Sequence, residues 1–549
     1  MNMETSERSD AELLERFRQV EARLLRLEQY LGMSTQKPAG AVAPSGTAGT
    51  GVDDGSLEEQ ISQYWLARFG AIFLLLSIGF FILYPFPALP VLLTSLWGYG
   101  AVALVYLFAR SREKTYPYLS KLLHGGILIL LYLATLRLHF FHPMPLLADK
   151  TIGLLLLVLL VSVLMYYAVT RRSQSLTILV LALFNVTALI SDQPYFCLSL
   201  TTTAAILTVT LLFHRTWPWM AFAGLAMTYL TLLLWLLNNP VMGHAVQATA
   251  AHHHNLVYLA IIGTAFAAAN IYRDKDAYSN IFEIGFSVLN GLGIYLIGGL
   301  NILFFFRNWT SLLATATAVF FLLVAILNWK RTRSIFSTSL YACFGYVAMS
   351  VAIITGFKSP DYFIWLGLQS WLVIVTALWF RSQLIVIANI IMYLLIFMLY
   401  LPLVPSNTSV NISYAVSALA SARLLNWQRE RLKLKTDLIR NIYLACAFLI
   451  VLYGLVHAVR PEYISLSWLL AAVFYFMVSL ALKNKKYRWM AILTVLATIG
   501  RVITVDLANM AAGLRIILLL TVSLVLIFWS LFYARYKSRI KAADRQKAL

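Results

Sequence analysis

Apolar runs follow one another with little interruption from Trp65 to residue 534. A membrane-spanning helix needs about 20 mostly apolar residues. Backbone groups must be paired in a bilayer, so helices are expected, and the short alternating segments of a membrane β-barrel are absent from the sequence. The sequence therefore predicts an all-α polytopic transmembrane protein with about eighteen spans, give or take about two. The predicted spans lie near residues 65–84, 88–109, 119–137, 151–169, 174–191, 194–213, 217–237, 254–272, 279–305, 309–329, 335–356, 361–380, 382–401, 410–425, 439–459, 463–482, 486–504 and 512–534.

Composition and charge agree with a membrane location. The 549 residues are 60% hydrophobic and only 12% charged, whereas soluble proteins carry roughly 25% charged residues. The formal net charge of +20 would suggest nucleic acid as a partner of a soluble protein. Here the basic residues stand in short loops between apolar runs, as in cytoplasmic membrane loops. We therefore expect the lipid bilayer as the partner, and no nucleic acid.

The loops alternate in their content of basic residues. If the N-terminus is cytoplasmic, the inside loops and the C-terminal tail contain 29 of the 43 lysines and arginines, and the outside connections contain seven. Basic loops remain in the cytoplasm, so both termini are predicted to be cytoplasmic. No cleavable signal peptide is expected, because residues 1–64 are polar and charged.

The N-terminal region is predicted to be a helix followed by a linker. Apolar residues in the helix are spaced alternately by four and by three, as in the a and d positions of a heptad repeat. They are Leu13, Phe17, Val20, Leu24, Leu27 and Leu31. Residues 1–31 are therefore predicted to form a cytoplasmic coiled coil that makes a homo-oligomer. The alternative is one amphipathic helix that lies on the protein or on the lipid surface.

Three further regions complete the predicted domain organisation. Residues 32–64 are a flexible linker that is rich in Gly, Ala, Pro, Ser and Thr. Residues 65–534 form the multi-pass transmembrane domain, and residues 535–549 form a basic cytoplasmic tail.

The predicted span 279–305 is unusually polar. Four of its side chains fall within roughly 60° of one line along the helix. This polar stripe consists of Glu283, Ser287, Asn290 and Asn301. Ionisable residues in a membrane mark functional sites, so one interpretation has the stripe line a cavity, with Glu283 as an ion or proton site. The favoured interpretation pairs Glu283 with Arg273 or Lys275 at the inner interface, and the asparagines join helices.

The same span contains four glycines that would allow a neighbouring helix to approach closely. They are Gly291, Gly293, Gly298 and Gly299.

An acid stands between two arginines near the end of the chain. Arg501, Asp506 and Arg515 lie at the predicted outer turn between the last two spans. Charges in such a position pair with one another or face a polar cavity. We favour a structural clamp that closes the last helical hairpin over a substrate site.

Histidines and cysteines give little support for a metal site. The outer loop 238–254 contains four of the nine histidines, namely His244, His252, His253 and His254. Histidine is a ligand of transition metals, but this loop contains no Cys, Asp or Glu, so a plain exposed loop is favoured. The cysteines Cys197, Cys343 and Cys446 are far apart and show no ligand-like spacing.

No cofactor and no catalytic residue is predicted. The sequence contains no phosphate-binding loop, dinucleotide fingerprint, zinc-protease motif or nucleophile elbow.

Three stretches of this chain are similar to parts of one known family. They are the first span from Trp65 to Tyr84, the glycine-pair helix from His124 to Thr135, and the closing Arg501…Asp506…Arg515 before an apolar span and a basic tail. Together they resemble a family of bacterial many-pass predicted membrane proteins of unknown function with an N-terminal coiled coil. That family often has a lysine where Gly500 or Arg501 stands. The resemblance implies a bacterial inner membrane and a many-pass topology, and it implies no substrate.

Three functions remain open from the sequence. The number of spans and the polar stripe favour a transporter or a flippase-like conduit. The coiled coil and the basic inner loops are typical of a non-catalytic envelope scaffold. An enzyme that acts on lipid-linked glycans would need acids grouped near Asp149, Asp361 or Asp506 at the outer surface, and the scarcity of outer carboxylates argues against it.

Overall fold

The fold was obtained as a computed structural model. It describes residues 66–84, 86, 89–140, 145–272, 280–403, 405–428, 436–482, 485–506, 516, 518–524 and 527. The chain divides into two units, Met1–Gly70 and Ala71–Leu549. In the first unit only the first five residues of one helix are described. The predicted coiled coil, its linker and the basic tail lie outside the described residues.

Seventeen α-helices make up almost all of the described part of the chain, in which no strand occurs. They are α1 (Leu66–Leu83), α2 (Val91–Ser111), α3 (Pro117–Leu136), α4 (Lys150–Thr170), α5 (Gln174–Ser191), α6 (Pro194–Arg215), α7 (Pro218–Leu236), α8 (Asn255–Tyr272), α9 (Asn280–Phe305), α10 (Thr310–Arg331), α11 (Ile335–Gly356), α12 (Asp361–Trp379), α13 (Gln383–Leu403), α14 (Thr408–Trp427), α15 (Thr436–Ala458), α16 (Ile464–Ala481) and α17 (Lys485–Arg501). A π-helical turn, Val502–Asp506, continues α17.

Each of the first seventeen predicted spans coincides with one of these helices, so the all-α polytopic fold class is confirmed. Fifteen of the helices in the described residues are long and apolar enough to cross a membrane. The two exceptions are α1, whose apolar part is shorter, and α14, which is less apolar. The last predicted span, 512–534, lies mostly outside the described residues, and residues 518–524 within it are helical.

The low hydropathy of α14 has a packing reason. Its buried serines Ser413, Ser417 and Ser421 follow one another every four residues and therefore share one face of the helix. That face packs against α12, where a Cβ built on Gly367 would lie 3.0 Å from Ser413 Oγ. Small residues allow membrane helices to pack closely. The sequence of α14 is polar because this face meets protein and not lipid.

Local sequence explains several helix ends. Asp149 caps α4 by accepting a hydrogen bond from the Thr151 amide at 2.8 Å, as an N-cap carboxylate does. The first residues of α3, α6 and α7 are prolines, whose missing N–H has no partner in a first turn anyway. Arg137 donates to the carbonyl of Ile82 in the last turn of α1, where a cation also complements the helix dipole.

The described residues form three large apolar clusters and a fourth, small one of Leu469, Val502, Leu518 and Val522. The first is formed by α1–α3, the second by α3–α9, and the third by α8 and α10–α17. Phe286 of α9 belongs to the second cluster, Tyr295 of the same helix packs against the third, and Ile294 packs against both. Helix α9, which carries the polar stripe, therefore lies where two cores meet.

Candidate functional site

The polar stripe of α9 is fully inside the protein. Glu283 is 5% exposed, and Ser287, Asn290 and Asn301 are 0% exposed. None of the four lines the cavities described below.

The middle of the stripe joins α9 to three other helices. Asn290 Oδ1 accepts a hydrogen bond from the Tyr229 hydroxyl of α7 at 2.6 Å, and Asn290 Nδ2 donates to the Tyr341 hydroxyl of α11 at 3.1 Å. Ser287 Oγ accepts from Asn270 Nδ2 of α8 at 2.6 Å and shares a hydrogen bond of 2.9 Å with Ser337 of α11. Buried polar groups require such partners, so these side chains hold helices together.

The two ends of the stripe are also bonded. Asn301 Oδ1 accepts from Asn255 Nδ2 of α8 at 3.1 Å. Glu283 lies in the first turn of α9, where the helix dipole stabilises a carboxylate. Its Oε1 accepts a hydrogen bond from Ser334, the N-cap residue of α11. Arg273 and Lys275, the partners expected from the sequence, lie outside the described residues.

Two small adjoining cavities form a second polar region, which lies between α11, α12, α13 and α14. We call them together the polar cavity. Their volumes are about 60 and 20 Å³. Both are lined by Ser350, Gln369, Asn389 and Met392. The smaller one is also lined by Tyr414.

The amides of the polar cavity are held in fixed positions. Gln369 Nε2 donates to the Tyr346 carbonyl at 2.9 Å and to Ser350 Oγ at 3.1 Å. Asn389 Nδ2 donates to Ser370 Oγ at 2.9 Å and to the Tyr443 hydroxyl at 2.8 Å. These side chains therefore place fixed, neutral polar groups in a lining whose other residues are mostly apolar.

The Tyr414 hydroxyl is a buried polar group of this lining that lacks a hydrogen-bond partner among the described residues. Tyr414 is 1% exposed, and its hydroxyl makes no hydrogen bond. A buried unpaired hydroxyl costs about 1–3 kcal/mol. A cavity of this size has room for water, which needs roughly 10–15 Å³ per molecule on the same measure. The polar cavity is therefore large enough for a water-sized polar species, and Tyr414 is one of its lining residues.

Sequence reasoning missed the polar cavity. Gln369 and Asn389 stand singly in the apolar spans 361–380 and 382–401. A side-chain amide inside the bilayer needs a hydrogen-bond partner from the protein. That criterion would have singled out both residues. No sequence pattern marks Tyr414, because the lack of a hydrogen-bond partner for its hydroxyl follows from tertiary packing alone.

The histidine loop pairs with a residue from another connection. His244 Nε2 lies 2.8 Å from Asp192 Oδ2. Asp192 belongs to the connection between α5 and α6. Asn239 Nδ2 donates to Asp192 Oδ1 at 2.8 Å. Burial alone would raise the pKa of Asp192, but the hydrogen bonds from His244 and Asn239 outweigh it and lower that pKa. The loop is therefore largely exposed, as expected, and His244 and Asn239 anchor it to Asp192.

The other histidines of this loop pack against aromatic rings. His252 lies 5.1 Å from the Phe306 ring, and His253 and His254 lie 6.0 and 6.2 Å from Tyr195. In the described part of the chain, no group of three or more His, Cys, Asp or Glu is placed to hold a metal ion.

Asp506 pairs with one of its two predicted arginines. It is 3% exposed, and Arg501 Nε lies 3.8 Å from its Oδ1. Ser465 at the start of α16 donates to its Oδ2. The Arg501 guanidinium also lies over the Trp468 ring, 5.8 Å from the centroid. These contacts join α17 to α16, the helix before it, whereas Arg515 lies outside the described residues.

Comparisons with protein-family models, with curated proteins and with solved structures found no match. The class of protein therefore follows from the length and the apolar character of the helices alone. It is an integral membrane protein that crosses the bilayer many times.

Proposed function

We propose that this chain is a transporter or a flippase-like conduit of the bacterial inner membrane, with both termini in the cytoplasm. The proposed site of the moving species is the polar cavity between α11, α12, α13 and α14. We also propose that the chain belongs to the family of many-pass membrane proteins that its sequence resembles.

The observation that carries this proposal is a cavity within the helix bundle at which neutral polar side chains from three helices, Ser350, Gln369 and Asn389, meet. Polar groups are costly inside a bilayer and mark the pathways of substrates and ions. In many transporters the site lies between helices near the middle of the membrane. Gln369 is the ninth of the 19 residues of α12, so the cavity lies level with the middle of that helix, and this supports the proposal. The absence of a charged side chain from its lining favours a small uncharged solute.

Reconstituted vesicles test the proposal. We expect vesicles that contain the full chain to take up water, urea or glycerol faster than protein-free vesicles in stopped-flow light scattering. Tyr414→Phe removes a hydroxyl that no group of the described residues binds, so it should slow this uptake severalfold while the protein stays folded. Equal rates with and without the protein for all three probes would contradict the proposal.

Tyr475→Phe is the matched control for this experiment. The Tyr475 hydroxyl is also buried without a hydrogen bond, but Tyr475 does not line the polar cavity. Its removal should leave the uptake rate unchanged. If both variants slow uptake equally, the polar cavity is not the pathway.

A proton-coupled version of this function depends on Glu283. Its carboxylate is buried and bonded to Ser334, as a site that exchanges a proton between two helices requires. Glu283→Gln keeps the shape of the side chain but removes its ionisable carboxyl group. A proton gradient should therefore no longer accelerate uptake by this variant. A gradient effect that survives in this variant removes Glu283 from the mechanism.

The other two functions have less support. The envelope scaffold rests on the coiled coil of residues 1–31, which lies outside the described residues, and it stays a prediction. The glycan enzyme needs an acidic cluster. Asp149 is bonded within its own helix end, and Asp506 is bonded to Ser465 and Arg501.

A further inference from the structure

A lateral groove runs between α1, α3 and α5. Its volume is about 530 Å³, which is within the range of roughly 300–1,000 Å³ for small-ligand sites. Leucines from all three helices form its walls, among them Leu76, Leu130 and Leu179. A lining of this kind is suited to a hydrocarbon chain.

Glycines form part of this groove. A Cβ built on Gly126 of α3 would lie 2.2 Å from Leu75 Cδ1 of α1, so the Leu75 side chain occupies space that is free because Gly126 has no side chain. At Gly125 the same atom would meet only Leu176 Cδ2 of α5, at 3.8 Å. Gly126 therefore receives the Leu75 side chain of α1, and Gly125 leaves the groove open toward α5. The glycine pair, Gly125 and Gly126, therefore shapes this groove.

The groove is apolar along its length but basic at one end. Lys121 is the fifth residue of α3 and Ser175 the second residue of α5, and both are exposed at the groove. Arg171 and Arg172 are exposed in the turn just before α5. Lys121 forms no ion pair with a carboxylate of the described residues. The loop charges predict that this end faces the cytoplasm.

We propose that this groove binds one acyl chain of an anionic phospholipid, with the phosphate headgroup on Lys121. An ammonium group forms a charge-assisted hydrogen bond with a phosphate oxygen, and basic residues beside membrane helices attract anionic lipids. A headgroup at Lys121 would stand at the end of the apolar walls that receive its acyl chain. The proposal does not depend on the transport function.

Native mass spectrometry of the full chain in detergent tests this site. Dissociation constants are measured for phosphatidylglycerol and for phosphatidylcholine with the same acyl chains. We expect the wild type to prefer phosphatidylglycerol, and Lys121→Ala to weaken phosphatidylglycerol binding about fivefold, as for one lysine near an anionic surface. Lys121→Arg should retain the preference. Lys330→Ala is the control, because Lys330 is an exposed lysine at the end of α10 and does not line the groove.

A second variant tests the hydrocarbon part. Gly125→Leu places a side chain into the groove, where a Cβ meets no backbone atom, and should weaken the binding of both lipids. A preference that survives Lys121→Ala, or binding that survives Gly125→Leu in a monodisperse protein, overturns the proposal. If Gly125→Leu changes the oligomeric mass and leaves lipid binding unchanged, a second copy of the chain occupies the groove, and the lipid proposal is wrong.

Discussion

At the scale of single residues, Asn290 is the most connected member of the polar stripe. It accepts from Tyr229 and donates to Tyr341 and to the carbonyl of Gly263, at 3.4 Å. Helical periodicity predicted that Asn290 shares a face with Ser287 and Glu283. It did not predict the partners, because Tyr229 and Tyr341 stand on helices far away in sequence. Their meeting depends on how the helices pack, which no local pattern encodes.

Replacing Asn290 should therefore destabilise the protein. Asn290→Leu removes hydrogen bonds to three helices, each worth about 0.6 kcal/mol on average and up to about 1.7 kcal/mol in a membrane protein. We expect the free energy of unfolding in mixed micelles to fall by about 2 kcal/mol. The control is Asn328→Leu. Asn328 is equally buried, but it donates only to Val324 of its own helix, and its Oδ1 has no partner.

Removing an unsatisfied polar atom is nearly neutral or stabilising, so Asn328→Leu should leave the free energy of unfolding within about 1 kcal/mol of the wild type. Equal losses for the two variants would show that the hydrogen bonds of Asn290 between helices contribute nothing measurable.

At the scale of helices, the glycines of α9 differ in what they permit. A Cβ on Gly293 would lie 2.5 Å from the Tyr229 ring, and one on Gly291 would lie 2.2 Å from the Phe344 ring. At Gly298 the nearest atom would be 3.4 Å away, and at Gly299 there is open space. The sequence predicted close approach at all four positions. Only Gly291 and Gly293 require it, since a helical pattern shows which face is small but not which neighbour is close.

Alanine substitutions should separate these two kinds of glycine. Gly293→Ala forces Tyr229 to move, and overpacking of this kind costs about 1–3 kcal/mol of unfolding free energy. Gly299→Ala meets no atom and gains helix propensity, so the helix should become more stable by up to about 1 kcal/mol. Both are measured as unfolding free energies in the same mixed micelles. A loss at Gly299 as large as that at Gly293 would contradict the packing of α9 against α7.

At the scale of the whole molecule, the sequence predicted the helices far better than the site. Spans such as 174–191 and 335–356 match α5 and α11 at both ends, because the bilayer fixes the length of an apolar run and basic residues or prolines interrupt it. The polar cavity could not be predicted in this way. Its residues come from four helices, and Tyr414 is distinguished only by the hydrogen bond that it lacks.

The membrane orientation is a prediction that labelling can settle. The three native cysteines are replaced by alanine, so that each introduced cysteine is the single thiol of its variant. Cys197 and Cys446 are buried and Cys343 is half-buried. An impermeant maleimide should label Val246→Cys in intact cells, because Val246 lies in the predicted outer loop and is 70% exposed. Lys114→Cys and Arg333→Cys should react only after permeabilisation, because basic loops remain in the cytoplasm.

The tail tests the predicted eighteenth span by the same method. Asp506 ends the last helix of the continuous described part of the chain, and one further span brings the tail back to the cytoplasm. Gln546→Cys should then behave like Lys114→Cys and react only after permeabilisation. If it reacts in intact cells while Val246, Lys114 and Arg333 behave as expected, the number of spans after Asp506 is even. The prediction of eighteen spans would then be wrong, and the orientation of the preceding helices would stand.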